Sequence, residues 1–375
     1  MKTALVYSDA WRRFDYGAEH PLRMERLGLT WRLLQAYGLT TLPDAGVHAP
    51  EPASESAIAA FHAPAYLDVL RAANGGVEPK GAARWGLGPG DNPVFPGLWD
   101  AARAAAGGSL LAAELVASGA ATRAFHFAGG LHHAMRDRAS GFCYVNDAVL
   151  AILHLRARGL RVLYVDIDAH HGDGVQAAFY DEPAVLTIST HERGDYLFPG
   201  TGFVEETGTG AAVGYAVNLP LEPFTDSEVY LPAFEAVVPS LAGAFKPDVV
   251  VAQLGIDAHR TDPLTHLELD VQGFARAVRH IVALAPRLVA LGGGGYDLQN
   301  VARGWTAAWA AMNGVELPAA LPASFAEDAR RHEFRVGTLW DEPAPQPPHR
   351  RLRAEDYARR QVDAIRRLIF PTHGL

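Results

Sequence analysis

Val162-Leu163-Tyr164-Val165-Asp166-Ile167-Asp168-Ala169-His170-His171-Gly172-Asp173-Gly174 runs from an apolar stretch straight into a dense set of carboxylates and imidazoles. Its first four residues are apolar on both alternating faces, as in a strand covered by helices on both sides. Residues 249–252, Val-Val-Val-Ala, read the same way. Further short apolar runs predict strands at 3–7, 123–127, 161–165, 184–189, 248–254 and 287–291. Amphipathic stretches at 21–37, 146–158, 271–283 and 298–312 predict helices between them. Thr225-Asp226-Ser227-Glu228 has capping-box spacing and predicts another, running towards Leu241. Strand and helix alternate, so the expected architecture is α/β with a mainly parallel sheet. Ligands in such sheets bind beyond the carboxyl ends of the strands, and 166–174 lies there.

Composition narrows the possibilities. The chain has 375 residues, 49% apolar and 20% charged, ample for a large core. Its net charge of −9 argues against direct nucleic-acid binding. No run is long and apolar enough to predict a membrane span, and the N-terminus does not read as a signal peptide. One cysteine, Cys143, allows neither a disulfide framework nor a cysteine-based zinc site, and a cytoplasmic protein is expected. Histidine is abundant, at 16 residues. A Pro-rich stretch at 341–348 precedes a segment with Tyr357, Val362, Ile365 and Ile369 at helical spacing, which predicts a terminal helix packed on the body.

Four segments carry candidate chemistry. Asp168 and His170 stand two residues apart, so an extended exit puts both on one side as half of a divalent-metal site. Gly129-Gly130-Leu131-His132-His133 follows another strand, and Asp166 and Asp173 can each hold one of these imidazoles by its second nitrogen. In 255–264, Asp262 is the expected third ligand, stiffened by Pro263, while Asp257 and His259 read as structural. Gly292-Gly293-Gly294-Gly295 permits tight turns that carry Tyr296 into a cleft, where its hydroxyl can donate to an oxyanion.

In this order the segments resemble the histone-deacetylase superfamily, in particular the bacterial acetoin-utilisation deacetylases. The likeness extends through His20-Pro21-Leu22-Arg23-Met24-Glu25-Arg26, Gly88-Pro89-Gly90-Asp91-Asn92-Pro93, Gly141-Phe142-Cys143-Tyr144-Val145-Asn146-Asp147 and Leu197-Phe198-Pro199-Gly200-Thr201-Gly202. It implies a single-domain arginase/deacetylase fold of about eight strands with helices on both faces. It also implies a catalytic domain over 1–315 and a C-terminal extension over 316–375. By the resemblance, Asp168, His170 and Asp262 hold one divalent ion, zinc first and ferrous iron as the alternative. His132 and His133 are the acid–base pair, backed by Asp166 and Asp173, and Tyr296 polarises the carbonyl. Gly141, Phe142 and Phe198 wall the acyl-lysine tunnel, Leu269 stands at its mouth, and Asp91 grips substrate backbone at the rim. Arg26, Gly129 and Gly130 line an acetate channel. Backbone oxygens of Asp166, Asp168 and His170, with Ser189 and Thr190, form a K⁺ or Na⁺ site.

The implied reaction is hydrolysis of acetyl-lysine in a protein or peptide, releasing acetate. Glu268, next to Leu269, keeps an acetylpolyamine amidohydrolase in view, because polyamine-type members use an acid at the mouth. A ureohydrolase of the same broad fold needs a second metal and an Asp-x-His-x-Asp run, but Gly172 occupies the last position. An inactive binding protein would have lost a ligand or Tyr296, and neither is missing. Oligomeric state leaves no mark in the sequence.

Overall fold

A computed structural model describes residues 2–375. Its centre is one eight-stranded sheet, parallel throughout, in the order β2-β1-β3-β8-β7-β4-β5-β6. The strands are β1 Thr3–Val6, β2 Ala45–His48, β3 Arg123–His126, β4 Val162–Asp166, β5 Val185–Glu192, β6 Ala216–Leu221, β7 Val249–Gln253 and β8 Leu288–Leu291. The helices before β5 are α1 Glu25–Ala36, α2 Glu55–Ile58, α3 Pro64–Ala73, α4 Leu98–Ala117, α5 Asp147–Arg156 and α6 Asp173–Ala178. After β6 come α7 Ser227–Phe245, α8 Val271–Val282, α9 Leu298–Asn313, α10 Ala326–Arg331 and α11 Pro348–Leu368. No helix among the described residues is long and apolar enough to cross a membrane.

Burial explains the central strands. Every residue of β4, β5, β7 and β8 is buried, and their Val, Leu and Ile side chains fill the layers between sheet and helices. The two strands not expected from the sequence are the outer ones. β2, Ala-Gly-Val-His, is short and only half buried. β6 contains Pro220, whose missing N–H is tolerated at a sheet edge. The expected helix over 21–37 begins at Glu25, after Pro21. α7 is capped by Asp226 rather than Thr225: its carboxylate accepts the N–H groups of Glu228 and Val229.

The parallel order brings four strand ends together. β3, β8, β7 and β4 are consecutive in the sheet, and after their carboxyl ends come 127–133, 292–296, 254–264 and 167–173. The segment after 315 lies on the body. α11 packs on α7 and β6 through buried Ala354, Ala358, Val362 and Ile365. Asp341, in the run before it, accepts from Arg303 Nη1 at 2.9 Å and from the N–H of Val271 at 2.8 Å.

Candidate active site

The exit from β4 is held by its own carboxylates. Asp168 Oδ1 accepts the N–H of His170 at 3.0 Å, and Asp166 Oδ1 accepts that of Asp168 at 3.1 Å. Asp168 Oδ2 accepts from Gln253 Nε2 at 2.7 Å and from the N–H of Gly294 at 2.8 Å, which ties the loops after β4, β7 and β8 together. A side chain at Gly294 is excluded, since a Cβ there would stand 2.1 Å from Asp257 Oδ2.

His170 Nδ1 faces two carboxylates, Asp257 Oδ2 at 2.8 Å and Asp168 Oδ1 at 3.1 Å. Ligand atoms of Asp168, His170 and Asp257 all lie within 4.8 Å of one another, and all three residues are buried. Asp257 joins Asp168 and His170 in this group, and the expected ligand Asp262, 8% exposed, is near enough to feel the charges of Asp257 and His170. Asp262 also accepts backbone N–H groups, that of Leu264 at its Oδ1 at 3.0 Å and that of Tyr296 at its Oδ2 at 2.8 Å, as Asp168 does on its own loop. The two aspartates differ in distance from the strand. Asp257 is four residues beyond Gln253 and Asp262 nine, both on the loop after β7.

Electrostatics fit a cation here. Burial and the neighbouring Asp168 charge raise Asp257 to about 6. Burial disfavours a charged His170, but Asp257 and Asp168 hold its pKa well above the usual imidazole value. Two buried like charges aimed at one small volume are costly unless a positive charge joins them. Oxygen, oxygen and imidazole nitrogen suit zinc or ferrous iron.

The tandem histidines stand beside this group. His132 Nε2 and His133 Nε2 are 3.0 Å apart. His132 Nδ1 lies 2.7 Å from Asp166 Oδ2, which also accepts from Tyr164 Oη at 2.6 Å. His133 Nδ1 lies 2.7 Å from Asp173 Oδ1. The two rings are driven apart. Burial works against charge on His132, but Asp166 and Asp168 raise it to about 9, while burial and the His132 charge lower His133 to about 4. Asp147 and Asn146, unassigned from the sequence, fix the loop that carries them. Asp147 accepts the N–H groups of Gly130 at 2.9 Å and Leu131 at 2.8 Å, and Asn146 Nδ2 donates to His132 O at 2.9 Å.

A narrow cavity joins these parts, lined among others by His132, His133, Gly141, Phe142, Asp168 and Tyr296. Phe198 packs edge-on against His133, ring centres 5.0 Å apart, and Phe142 against Tyr296, 5.7 Å apart. Arg26 and Gly130 line it as well, and Arg26 Nη1 donates to Gly293 O at 2.8 Å. Arg26 and Leu131 are shared with a more apolar cavity behind it, walled by Trp11, Phe14 and Tyr144. Gly129 is set differently: a Cβ there would meet Asp147 and Ser109. Asp91 is exposed, and its carbonyl lies 3.2 Å from His20 Nε2.

Leu269 does not reach this cavity. It is 2% exposed, and its N–H donates to Ala258 O at 3.0 Å. Thr190 Oγ1 donates to Asp166 O at 3.2 Å, and Ser189 Oγ lies 2.8 Å from His191 Nδ1.

Residues 20–312 match the histone deacetylase domain model. The acetoin utilization protein AcuC of Bacillus subtilis is 39% identical over 351 residues, covering 87% of this chain and 90% of that protein. Human histone deacetylase 1 is 39% identical over 324 residues, 86% of this chain but 66% of the longer human protein. A solved HDAC homologue from Aquifex aeolicus superposes with a TM-score of 0.88 at 32% identity, covering 96% of this chain and all of that one. An HDAC homologue solved in complex with SAHA gives the same values. With the matched domain spanning all four site-bearing strand ends, the chain belongs to the histone deacetylase family.

Proposed function

We propose that the chain hydrolyses the amide of acetyl-lysine in proteins or peptides, releasing acetate. One observation carries the reading: a buried Asp168–His170–Asp257 group lies next to two histidines, each backed by its own carboxylate. Asp168, His170 and Asp262, with Asp257 beside them, would hold a divalent ion, which would supply Lewis acidity to a carbonyl oxygen and to water, and zinc or ferrous iron would suit these donors.

The remaining work falls to the protein. The neutral ring of His133 takes the proton of attacking water at Nε2 and passes it to the departing amine. Asp173 keeps that ring oriented through Nδ1. His132, whose charge is favoured by Asp166, lends positive charge beside it. Tyr296 donates its hydroxyl to the developing oxyanion, a contribution of about 3–4 kcal/mol by analogy with other such donors. Phe142 and Phe198 pack on the lysine methylenes, which ask for no hydrogen bonds. Asp91 at the rim meets substrate backbone, and acetate leaves past Arg26 and Leu131. A monovalent cation on the Asp166 and Asp168 carbonyls belongs to the same reading. A single buried, unpaired cysteine is in keeping with the cytoplasm as the compartment.

The test is metal analysis coupled to a panel of acetylated peptides, before and after chelation. One ion per chain, loss of turnover on chelation and its return with zinc or iron(II) are expected. Two tightly bound ions per chain, or turnover indifferent to chelation, refute the reading.

A further inference from the structure

Beside the candidate active site lies a second cavity of about 350 Å³, lined by Tyr196, Glu222, Phe224, His266, Arg350 and Arg353 among others. It is built partly from the loops that carry site residues: Tyr196 is two residues before Phe198, and His266 is four beyond Asp262. The two arginines come from α11, outside the matched domain.

The backbone marks this place. Among the described residues, four other than glycine have left-handed φ: Phe142, Phe224, Lys246 and Glu333. Lys246 caps the end of α7, and Glu333 follows α10. That leaves Phe142, in the catalytic cavity, and Phe224, at φ +68°, in this one. A bulky residue holds such a conformation only where its surroundings fix it, and these positions gather at functional sites. Phe224 is fixed from three sides. Its N–H donates to His266 O at 2.7 Å, its carbonyl accepts from Gln346 Nε2, and the Arg350 guanidinium lies 4.1 Å from its ring centre.

Charge then selects the occupant. Glu222 is 5% exposed and already paired with both Arg193 and Arg353. Glu268, the acid that kept a polyamine substrate in view, accepts from Gln346 Nε2 at 2.8 Å and faces Arg350 at 3.7 Å. Glu192 is buried against His266. Acids and arginines at this cavity pair with one another, but Glu222 and Glu268 are only 5% and 28% exposed, while the Arg350 and Arg353 side chains stay 42% and 63% exposed and present their outer N–H groups to solvent. Exposed tyrosine and arginine around a pocket are the make-up of a recognition surface.

We propose that α11 and the residues before it form a substrate subsite for an acidic side chain flanking the acetyl-lysine. The proposal rests on the deacetylase reading above and narrows it: a protein segment with Asp or Glu on this flank is favoured, and a polycationic acetylpolyamine is not.

The experiment measures kcat/KM of the full-length, metal-loaded chain at low ionic strength. Its substrates are acetyl-lysine peptides differing only in Glu or Lys on the flanks, plus acetylspermidine and a minimal acetyl-lysine amide. The expected result is a preference for Glu of about fivefold, the sum of two exposed ion pairs, carried by KM and erased by salt. R350A/R353A should bring the ratio of Glu to Lys peptides close to one, while R350K/R353K keeps most of it. R350E, which leaves both Glu222 pairs intact, must lower the ratio alone and guards against misfolding of the double variant. An unchanged ratio in R350E, or a wild-type preference for the Lys peptide or for acetylspermidine, overturns the subsite. Turnover of the minimal amide without flank preference removes the subsite only. Failure to cleave any acetyl-lysine substrate removes the deacetylase reading and the subsite with it.

Discussion

Asp262 Oδ2 accepts the backbone N–H of Tyr296 at 2.8 Å, so one carboxylate anchors the loop that carries the phenol. Asp257, five residues earlier, turns instead to His170. The two aspartates should fail differently. D262A should lose metal affinity by a factor of about 100, the upper range for disturbing a metal site's supporting groups being a lower guide for a ligand, and should free the Tyr296 loop as well. D257N, which disturbs the partner of His170 Nδ1, should weaken metal binding by about 10-fold. Metal content of the two purified variants decides, and an ion retained by D262A but lost from D257N would put Asp257 in the ligand set in place of Asp262.

Tyr296 lines the cavity together with Asp168 and the histidine pair. Y296F removes one hydroxyl and should lower kcat by about 10²–10³-fold, as loss of an oxyanion donor does elsewhere. KM and bound metal should barely change. Wild-type turnover in Y296F would falsify the oxyanion role.

The histidine pair offers a spectroscopic check. In chelated protein, His132 should titrate near about 9 and His133 near about 4, because burial and the Asp166 and Asp168 charges act on the first, and burial and its charged neighbour on the second. The sign for stability follows from linkage. The His132 contribution is full below the unfolded value and fades as pH rises through about 9. The preference for neutral His133 is present above the unfolded value and is lost as pH falls through about 4. Nitrogen-15 NMR of labelled histidines reads both, and two overlapping titrations near the unperturbed value would contradict the split.

Asp341 ties the C-terminal extension to the body, and the partners His259 and Arg303 are themselves buried. Burial opposes its ionisation, yet His259 and Arg303 hold its carboxyl well below the usual carboxylate range. Its contribution is therefore present above the unfolded carboxylate value and lost as pH falls below it. D341A leaves Arg303 without its acid and should cost about 3–5 kcal/mol. Thermal melts at neutral pH should show the loss, and the gap between variant and wild type should shrink in acid. An equal gap at both pH values would exclude the ion pair as its source.

Most of the sheet was legible because its central strands are apolar on both faces, and Val162–Val165 and Val249–Ala252 advertise that directly. The outer strands were not, since Ala45–His48 and Ala216–Leu221 carry Gly, Asn and Pro and gain their shape from their neighbours. The histidine pair and the carboxylates behind it could be read from the sequence, since they cluster at strand ends. The choice between Asp257 and Asp262 could not be made from residue type, because both are loop aspartates beyond the same strand. Asp147 stayed hidden for another reason: it acts through backbone N–H groups, which every sequence has.

Because the working groups hang from the ends of β3, β4, β7 and β8, they are supplied by segments up to 164 residues apart, from His132 to Tyr296, and meet only when those strands lie side by side. No fragment ending before β8 contains a complete centre. Catalytic competence should therefore arrive as an all-or-none property of the closed sheet, and its disappearance during denaturation should coincide with the collapse of tertiary order rather than precede it.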